Sequence, residues 1–586
     1  MSPVERTILW KGRILGKILV LLCILCFSAL SSYAIDREAF TFTNYDLQVR
    51  VEPDQHRLGV RGKVTLRNDS KTPQKIAVLQ ISSSLDWRSI TAGDKEVQFV
   101  TQPYTSDIDH TGALSEAVVT LPEAVAPQGT VVLDIAYEGV VVLDATRLTR
   151  IGTPEDLAES SDWDQIDTNF TGLRGAGYVA WYPIATESAN LSEENSLFDV
   201  LGRWKARETG AELKMHVQYS ALPGDAAAPT VLCSEKEQQS AAQGGTAKSP
   251  SADCSYQSMA QTAPSFVIAS YGLVERPSVK VYNLPSHAAL AIDYAEASEQ
   301  AAPLILNWFG PPHEKAQTAD LPDPQAAPFE SGSLLLTPLG ADRKLSGLAA
   351  AHQLTHAAFH SPRPWINEGL AHFAQALYIE QQQGRQAAID YMGLHRSAFV
   401  NTEKPATEAQ SENGAANSLV STTNDELYRS KAMCVWWMLR DMLGDAALKK
   451  AIAAYRPEQD KEPSYMPRLI AAQTQRDLEW FFDDWVYRDR GLPDFKVESV
   501  FPRKALPNTY IVAVTVENLG TAGAEVPVIL KFPGGEARKR LEVRAKSRAT
   551  IRVETPAYPT EVVVNDGSVP ESDVTNNTVK VEPASE

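Results

Sequence analysis

Residues 352–371 read HQLTHAAFHSPRPWINEGLA. His352 and His356 stand four positions apart, which places both imidazoles on one face of a helix, within reach of one metal ion. The proline-rich segment Ser361–Pro364 breaks this helix, and a second helix runs from about Glu368. The returning helix can bring Glu368 beside the two imidazoles. Because two histidines and one glutamate with an open fourth position form a catalytic zinc site, the stretch predicts such a site.

The histidine pair also has a plainer interpretation. Taken alone, two histidines four residues apart are more often a core or surface pair than a metal site. The Asn-Glu-Gly at residues 367–369, in a chain that carries an export signal, favours the metal site. His360 and His372 each lie one turn beyond a predicted ligand and could carry protons. We interpret both as ordinary helix-face histidines.

The histidine pair followed by Trp365–Ala371 resembles the gluzincin metallopeptidases, and specifically the aminopeptidase N family. The resemblance implies a zinc ion (Zn²⁺) held by His352, His356 and Glu368. It also implies a peptide or protein as the substrate, and aminopeptidase-type hydrolysis as the reaction.

Other segments extend the resemblance over roughly residues 40–495. Ala327–Gly332 lies where the family carries a glutamate that holds the substrate's free amino group, which would assign that role to Glu330. Tyr428–Ala432 resembles the segment whose tyrosine stabilises the oxyanion, which would assign that role to Tyr428. The remaining similar stretches are Phe482–Pro493 and the β-rich sequence from Tyr45 onward.

The sequence departs from the family pattern at Gln353. The family has a glutamate here, which takes the proton of the zinc-bound water, whereas a carboxamide cannot accept that proton near neutral pH. The spacing also differs, because only 11 residues (368 − 356 − 1) separate His356 from Glu368, fewer than in the family. Gln353 and Tyr428 are therefore the candidate catalytic positions, and Gln353 puts turnover in question.

The hydrophobic pattern predicts a multidomain α+β fold. Residues 35–280 read mainly as alternating β-strands, and this N-terminal β-sheet domain is followed by a gluzincin-like α/β-to-helical domain at 281–495. Short strands separated by turn residues then predict a C-terminal β-sandwich at 496–586.

Residues 1–34 have the basic, apolar and small-residue regions of a secretory signal peptide, which predicts an exported protein. An uncleaved N-terminal anchor is the alternative, and it is the one membrane contact that we expect. Cys233 and Cys254 flank a polar stretch and can form a disulfide in an exported chain. Cys434, in an apolar helical run, is predicted to be a buried thiol.

The chain has 586 residues and a formal net charge of −18. That acidity disfavours a nucleic-acid partner, because phosphate binding needs basic patches. Two functional hypotheses remain. The first is an exported zinc metallopeptidase-like protein with aminopeptidase-type activity. The second is a catalytically impaired zinc- and peptide-binding or scaffold protein, because Gln353 replaces the general base.

Overall fold

The computed structural model describes residues 35–93, 95–193, 196–220, 229–233, 237–239, 251–257, 259, 263–340, 342–402, 418–422, 427–488 and 490–582. The predicted signal peptide at 1–34 lies outside these residues. Among the helices described, none has the length and hydropathy needed to cross a membrane.

The N-terminal region is built from β-sheets, as the alternating sequence predicts. Its strands are β1 (Phe40–Glu52), β2 (Arg57–Asn68), β3 (Gln74–Ser82), β4 (Leu85–Ala92), β5 (Lys95–Glu96), β6 (Gln98–Thr105), β7 (Ala113–Val125), β8 (Thr130–Val140), β9 (Gln165–Ile166), β10 (Phe170–Leu173), β11 (Glu212–Tyr219), β12 (Thr230–Cys233), β13 (Glu237–Gln239), β14 (Ser251–Tyr256) and β15 (Phe266–Ala269). Its helices are α1 (Thr146–Thr149), α2 (Glu155–Ser161) and α3 (Ser196–Arg207).

These strands form three sheets in the described part of the chain. The largest has the order β13-β14-β11-β1-β2-β8-β4-β5, and the others are β3-β7-β6 and β12-β15-β10-β9. Alternate residues of β1, such as Leu47, Val49 and Val51, are buried in one hydrophobic core. The predicted disulfide is confirmed, because Cys233 of β12 is bonded to Cys254 of β14 across a Cα–Cα distance of 6.2 Å.

The middle region combines a small mixed sheet with helices. Its strands are β16 (Gly272–Glu275), β17 (Val279–Asn283), β18 (Ala316–Asp320), β19 (Phe329–Ser331) and β20 (Leu334–Thr337), in the order β16-β17-β18-β20-β19. Its helices are α4 (Ala288–Phe309), α5 (Arg343–Ala358), α6 (Pro364–Gln383), α7 (Arg385–Thr402), α8 (Ala432–Leu443), α9 (Asp445–Ala454), α10 (Tyr465–Ala471) and α11 (Glu479–Phe482). A π-helical turn, Leu427–Lys431, directly precedes α8. The sheet begins at Gly272, before the predicted domain boundary at 281.

The middle of the sheet is parallel, with β17, β18 and β20 aligned, whereas β19 runs antiparallel along the edge. Gly332 turns the chain between β19 and β20 with φ of 60°, a conformation that glycine adopts without strain. Glu330 of this edge strand contacts His352 of α5, one of the predicted ligands.

The C-terminal region holds two more sheets. The strands are β21 (Phe495–Leu506), β22 (Thr509–Asn518), β23 (Ala524–Phe532), β24 (Gly535–Val543), β25 (Arg548–Thr555), β26 (Glu561–Val564) and β27 (Thr578–Lys580), paired as β21-β22-β25 and β24-β23-β26-β27. Their buried residues belong to the same hydrophobic cluster as the helices, and Trp485 donates its indole N–H to the carbonyl of Gly523 at 2.7 Å. The fold is therefore multidomain α+β, as predicted, while the β-sandwich packing of these two sheets stays a prediction.

The apolar aromatic residues of α8 lie in the core. Trp436 and Trp437 are fully buried, and Trp436 stacks on Trp365 of α6 with ring centroids 5.3 Å apart. Cys434 is a buried cysteine, as predicted. The helix packs this closely because Gly369 leaves room, since a Cβ there would lie 2.7 Å from the Ala432 Cβ.

Candidate metal centre

Two consecutive helices position the predicted ligands. α5 begins after Asp342, whose carboxylate accepts hydrogen bonds from the backbone N–H groups of Lys344 and Leu345 and so caps the helix. α6 begins with a proline at its first position, Pro364, as its fixed φ favours. The helices approach closely at Gly347, where a Cβ would lie 2.4 Å from the Tyr378 hydroxyl oxygen. This close packing brings the second turn of α6 beside the histidines.

The three predicted ligands converge. The His352 and His356 Nε2 atoms are 3.2 Å apart. Glu368 places one carboxylate oxygen 3.4 Å from the His356 Nε2 and the other 3.7 Å from the His352 Nε2. Ligand atoms bonded at about 2.0–2.2 Å to a tetrahedral zinc ion are about 3.3–3.6 Å apart. The donor types therefore fit zinc and the two rings are spaced for one ion, while Glu368 meets the two rings through different carboxylate oxygens and would have to turn one of them toward the ion.

The charged groups of this centre shift the pKa values of Glu368 and His352. Burial by itself raises the pKa of Glu368, but His356 and His352, together with Arg429 and His372, outweigh burial and lower the pKa to about 2. For His352, burial lowers the pKa, but the carboxylates of Glu330 and Glu368 outweigh that effect and raise it above its usual value. Without metal, the centre thus favours a negative carboxylate beside a positive imidazole.

Asn367 connects the turn to the site. Its side-chain oxygen accepts a hydrogen bond from the backbone N–H of Ser361 at 3.1 Å, and its Nδ2 lies 3.1 Å from the His356 Nδ1. A metal on Nε2 fixes the imidazole proton on Nδ1, which then needs an acceptor. With a metal ion on Nε2, an Asn367 amide turned by 180° could accept this proton, at the cost of the hydrogen bond from Ser361.

Glu330 joins the same centre. It lies on the edge strand β19, and one of its carboxylate oxygens is 2.8 Å from the His352 Nε2. The other oxygen, Oε1, is buried and has no hydrogen-bond partner among the described residues. Ligand atoms of Glu330, His352 and His356 lie within 4.8 Å of one another, as do those of His352, Glu368 and His372. Glu330 was predicted to hold a substrate amine, and its position beside the metal ligands is something that the sequence did not predict.

The two additional histidines differ from each other. α5 ends at Ala358, and Phe359 is extended, so His360 is not on the helix and the prediction that it is a helix-face histidine is wrong. His372 is on α6 as predicted, but its ring lies 4.9 Å from that of His352. Burial lowers the pKa of His372 well below its usual value. His372 therefore lies against the centre, while its interpretation as an ordinary helix-face histidine stays a prediction.

Gln353 faces away from this centre. Its side chain is fully buried against the sheet and α4. The amide oxygen accepts hydrogen bonds from the Thr318 hydroxyl at 2.9 Å and the Tyr294 hydroxyl at 3.3 Å. The amide nitrogen donates to the carbonyl oxygens of Gln317 and Ser333. The predicted catalytic position is thus occupied by a residue whose amide is hydrogen bonded inside the core.

Tyr428 lies in the π-helical turn before α8, a turn that packs against α6. Its side chain is 9% exposed. The next residue, Arg429, places its Nε 3.8 Å from a carboxylate oxygen of Glu368. The structure thus adds a cation to the centre that sequence reasoning missed, although the segment containing it was singled out.

No family model matches the chain, and no curated protein does. Among solved structures, the chain is similar to an M1 zinc metallopeptidase from Deinococcus radiodurans, with a TM-score of 0.47, 16% identity, and coverage of 78% of this chain and 96% of that one. A mutant of that enzyme gives a TM-score of 0.49 at 16% identity, and a mutant bound to a Tyr-Ser-Ala substrate gives 0.46 at 17%, with the same coverage. The resemblance to the aminopeptidase N family in particular remains a prediction.

Proposed function

We propose that this chain is an exported zinc metallopeptidase-like protein whose ligand is a peptide or protein. His352, His356 and Glu368 would hold the zinc ion. The observation that carries this proposal is the convergence of their nitrogen and oxygen atoms, which lie 3.2 to 3.7 Å apart, close to the edges of a tetrahedral zinc site, with Glu368 contacting the two rings through different oxygens.

Aminopeptidase-type hydrolysis is the first candidate reaction. A bound zinc ion polarises a carbonyl and lowers the pKa of a bound water to about 7. Around it, Arg429 contributes positive charge beside Glu368 and could balance the carboxylate of a peptide or a developing oxyanion. Glu330 presents a carboxylate on the same side, which supports its predicted contact with a substrate amine. Tyr428 remains the predicted oxyanion partner.

Peptide binding with little or no turnover is the second candidate. It is favoured by the four hydrogen bonds that hold Gln353 in the core. A group so placed neither accepts a proton nor reaches a water molecule at the centre. Loss of one general base typically costs about 10²–10⁴-fold in rate.

Zinc content and peptide hydrolysis, measured on the same preparations, separate the two candidates. We would compare the wild type, His352→Ala and the control His313→Ala, which alters an exposed histidine elsewhere in the middle region. About one zinc per chain with hydrolysis of unblocked peptides that His352→Ala abolishes supports the first candidate. Zinc with peptide binding but no hydrolysis supports the second. Absence of zinc from the wild type after metal is supplied would overturn both.

Export rests on the sequence of residues 1–34. We expect the protein to be recovered outside the cytosol with a new N-terminus near residue 35. Mass spectrometry of the N-terminal peptide from separated cell fractions tests this. An intact N-terminus in the membrane fraction would support the uncleaved anchor instead.

A further inference from the structure

We propose that Glu330 is a fourth protein ligand of the zinc ion and closes the site in the resting protein. This inference rests on the zinc site proposed above. It gives Glu330 a different role from that of holding a substrate amine, because a carboxylate bound to the ion is not free to pair with an incoming ammonium group.

The position of the Glu330 carboxylate supports this role. Its Oε2 lies 2.8 Å from the His352 Nε2, the atom that would also bind the ion. A zinc-bound Nε2 carries no hydrogen, so the contact between Glu330 and His352 cannot remain a hydrogen bond. A shift of about 0.5 Å would bring the two atoms to the separation of ligands on a tetrahedral zinc. The carboxylate then has the ion itself as its nearest partner.

Charge and burial point in the same direction. Oε1 of Glu330 is buried and has no hydrogen-bond partner among the described residues, and a buried carboxylate needs a cation or hydrogen-bond donors. Two neutral imidazoles and Glu368 leave a zinc ion with a net charge of +1, and Arg429 adds to it. A second carboxylate in contact with the ion neutralises that charge within a largely enclosed site.

The N-terminal region fixes the strand that carries Glu330. The Phe329 ring packs edge-on against Tyr178 with centroids 5.5 Å apart, and the Arg174 guanidinium lies 3.7 Å from the centre of the Tyr178 ring. On the other side of Glu330, the Ser331 hydroxyl donates to the carbonyl of Ala263 at 3.0 Å. Contacts on both neighbours hold β19 in place, so its carboxylate stays within reach of the ion.

A closed site has a functional consequence. With four protein ligands, no coordination position is left for a water molecule or a peptide carbonyl. A peptide would have to displace Glu330 before its carbonyl could reach the ion. The Glu330 carboxylate would then compete with the peptide for the metal ion.

The test uses the purified protein with cobalt in place of zinc, because the visible absorption of Co²⁺ reports its coordination. We would record spectra with and without azide, a small anion that binds open metal positions, and measure zinc affinity by competition with a chelator. The variants are Glu330→Gln, Glu330→Asp, His372→Gln and the control Glu314→Gln, which alters an exposed carboxylate of the same region.

We expect azide to leave the wild-type and Glu314→Gln spectra unchanged and to shift the Glu330→Gln spectrum. We also expect Glu330→Gln to weaken zinc binding about 100-fold or more, since even groups outside the ligand set are worth about 10–100-fold. Partial retention of affinity in Glu330→Asp would support a ligand role.

If azide shifts the wild-type spectrum as much as the Glu330→Gln spectrum, the metal has an open position in the wild type. That result would overturn the inference and leave the proposed zinc site standing. This measurement decides the matter even if Glu330→Gln fails to fold. Loss of zinc affinity in His372→Gln with no loss in Glu330→Gln would also overturn it, in favour of His372. No cobalt or zinc in any preparation would remove the proposed function itself.

Discussion

Two sides of helix α5, one residue apart, have opposite characters. On the side of His352, an imidazole nitrogen lies near Glu330, Glu368 and His356. Arg429 lies near Glu368, and a proton on His352 or a metal ion would balance the second carboxylate. The side of Gln353 is complete, because both ends of its amide are hydrogen bonded inside the core. The difference shows that polar residues adjacent in a motif can serve chemistry and packing separately.

The largest expected effect is on zinc affinity and comes from removing a proposed zinc ligand of α5. His356→Ala should lower zinc affinity by at least about 100-fold, because it deletes one of the ligand atoms. Zinc per chain, measured by elemental analysis after dialysis, checks this, with His313→Ala as the control. Full zinc occupancy in His356→Ala would mean that other groups form the site.

The second prediction concerns Gln353, on the core-facing side of α5. Gln353→Glu replaces an amide donor with a carboxylate that faces the carbonyl oxygens of Gln317 and Ser333. We expect the variant to be destabilised by about 3–5 kcal/mol, because a buried carboxylate oxygen would face two carbonyl oxygens with no cation beside it, and to gain no hydrolysis. Denaturant unfolding and a peptide assay, compared with the exposed Gln382→Glu, measure both. A stable variant with a large gain in hydrolysis would show that position 353 does reach the metal.

The third prediction concerns two neighbouring residues of α6 that also face different surroundings. Glu368 faces the candidate metal centre, and Gly369 faces α8. Gly369→Ala would place its new carbon 2.7 Å from the Ala432 Cβ and 2.9 Å from the Trp436 Nε1. We expect a loss of about 1–3 kcal/mol from overpacking, with zinc stoichiometry kept at moderate temperature. Thermal unfolding with and without zinc measures this. Unchanged stability would mean that the two helices separate at little cost.

The smallest expected effect is on the pH dependence of stability, which should have opposite signs in the metal-free and the zinc-bound protein. In the metal-free protein, the raised pKa of His352 contributes stability that is fully present below its unfolded pKa and is lost as pH rises through the folded pKa. Its size is about 1.4 kcal/mol for each unit by which the pKa is raised, reduced where solvent screens the pair. The lowered pKa of Glu368 acts in the other sense, and its contribution disappears as pH falls toward 2.

With zinc, protons compete with the ion for His352, so stability should rise with pH over the same range. Unfolding curves of both forms between pH 5 and 8, with His352→Gln as the control, test the reversal. Parallel curves for the two forms would indicate that zinc does not bind through this imidazole.

Much of the fold could be predicted because its signals are local. The alternating apolar pattern predicts strands within residues 35–280, and the structure confirms them, for example as Phe40–Glu52 and Arg57–Asn68. Cys233 and Cys254 were the one cysteine pair placed to close a loop. By contrast, α5 ends at Ala358, and Phe359 beyond it packs against Phe309, a tertiary contact that the helical period does not contain.

The sequence alone determined the residues of the centre, since the spacing of His352 and His356 on a helix and the turn before Glu368 are properties of local backbone geometry. Only the tertiary structure decided which other groups meet them. Glu330 arrives on an edge strand held by the N-terminal region, Arg429 arrives on a separate turn, and Gln353 is turned into the core. These contacts depend on how elements distant in the sequence pack together. The periodicity of side chains along one helix does not determine which other elements lie against it.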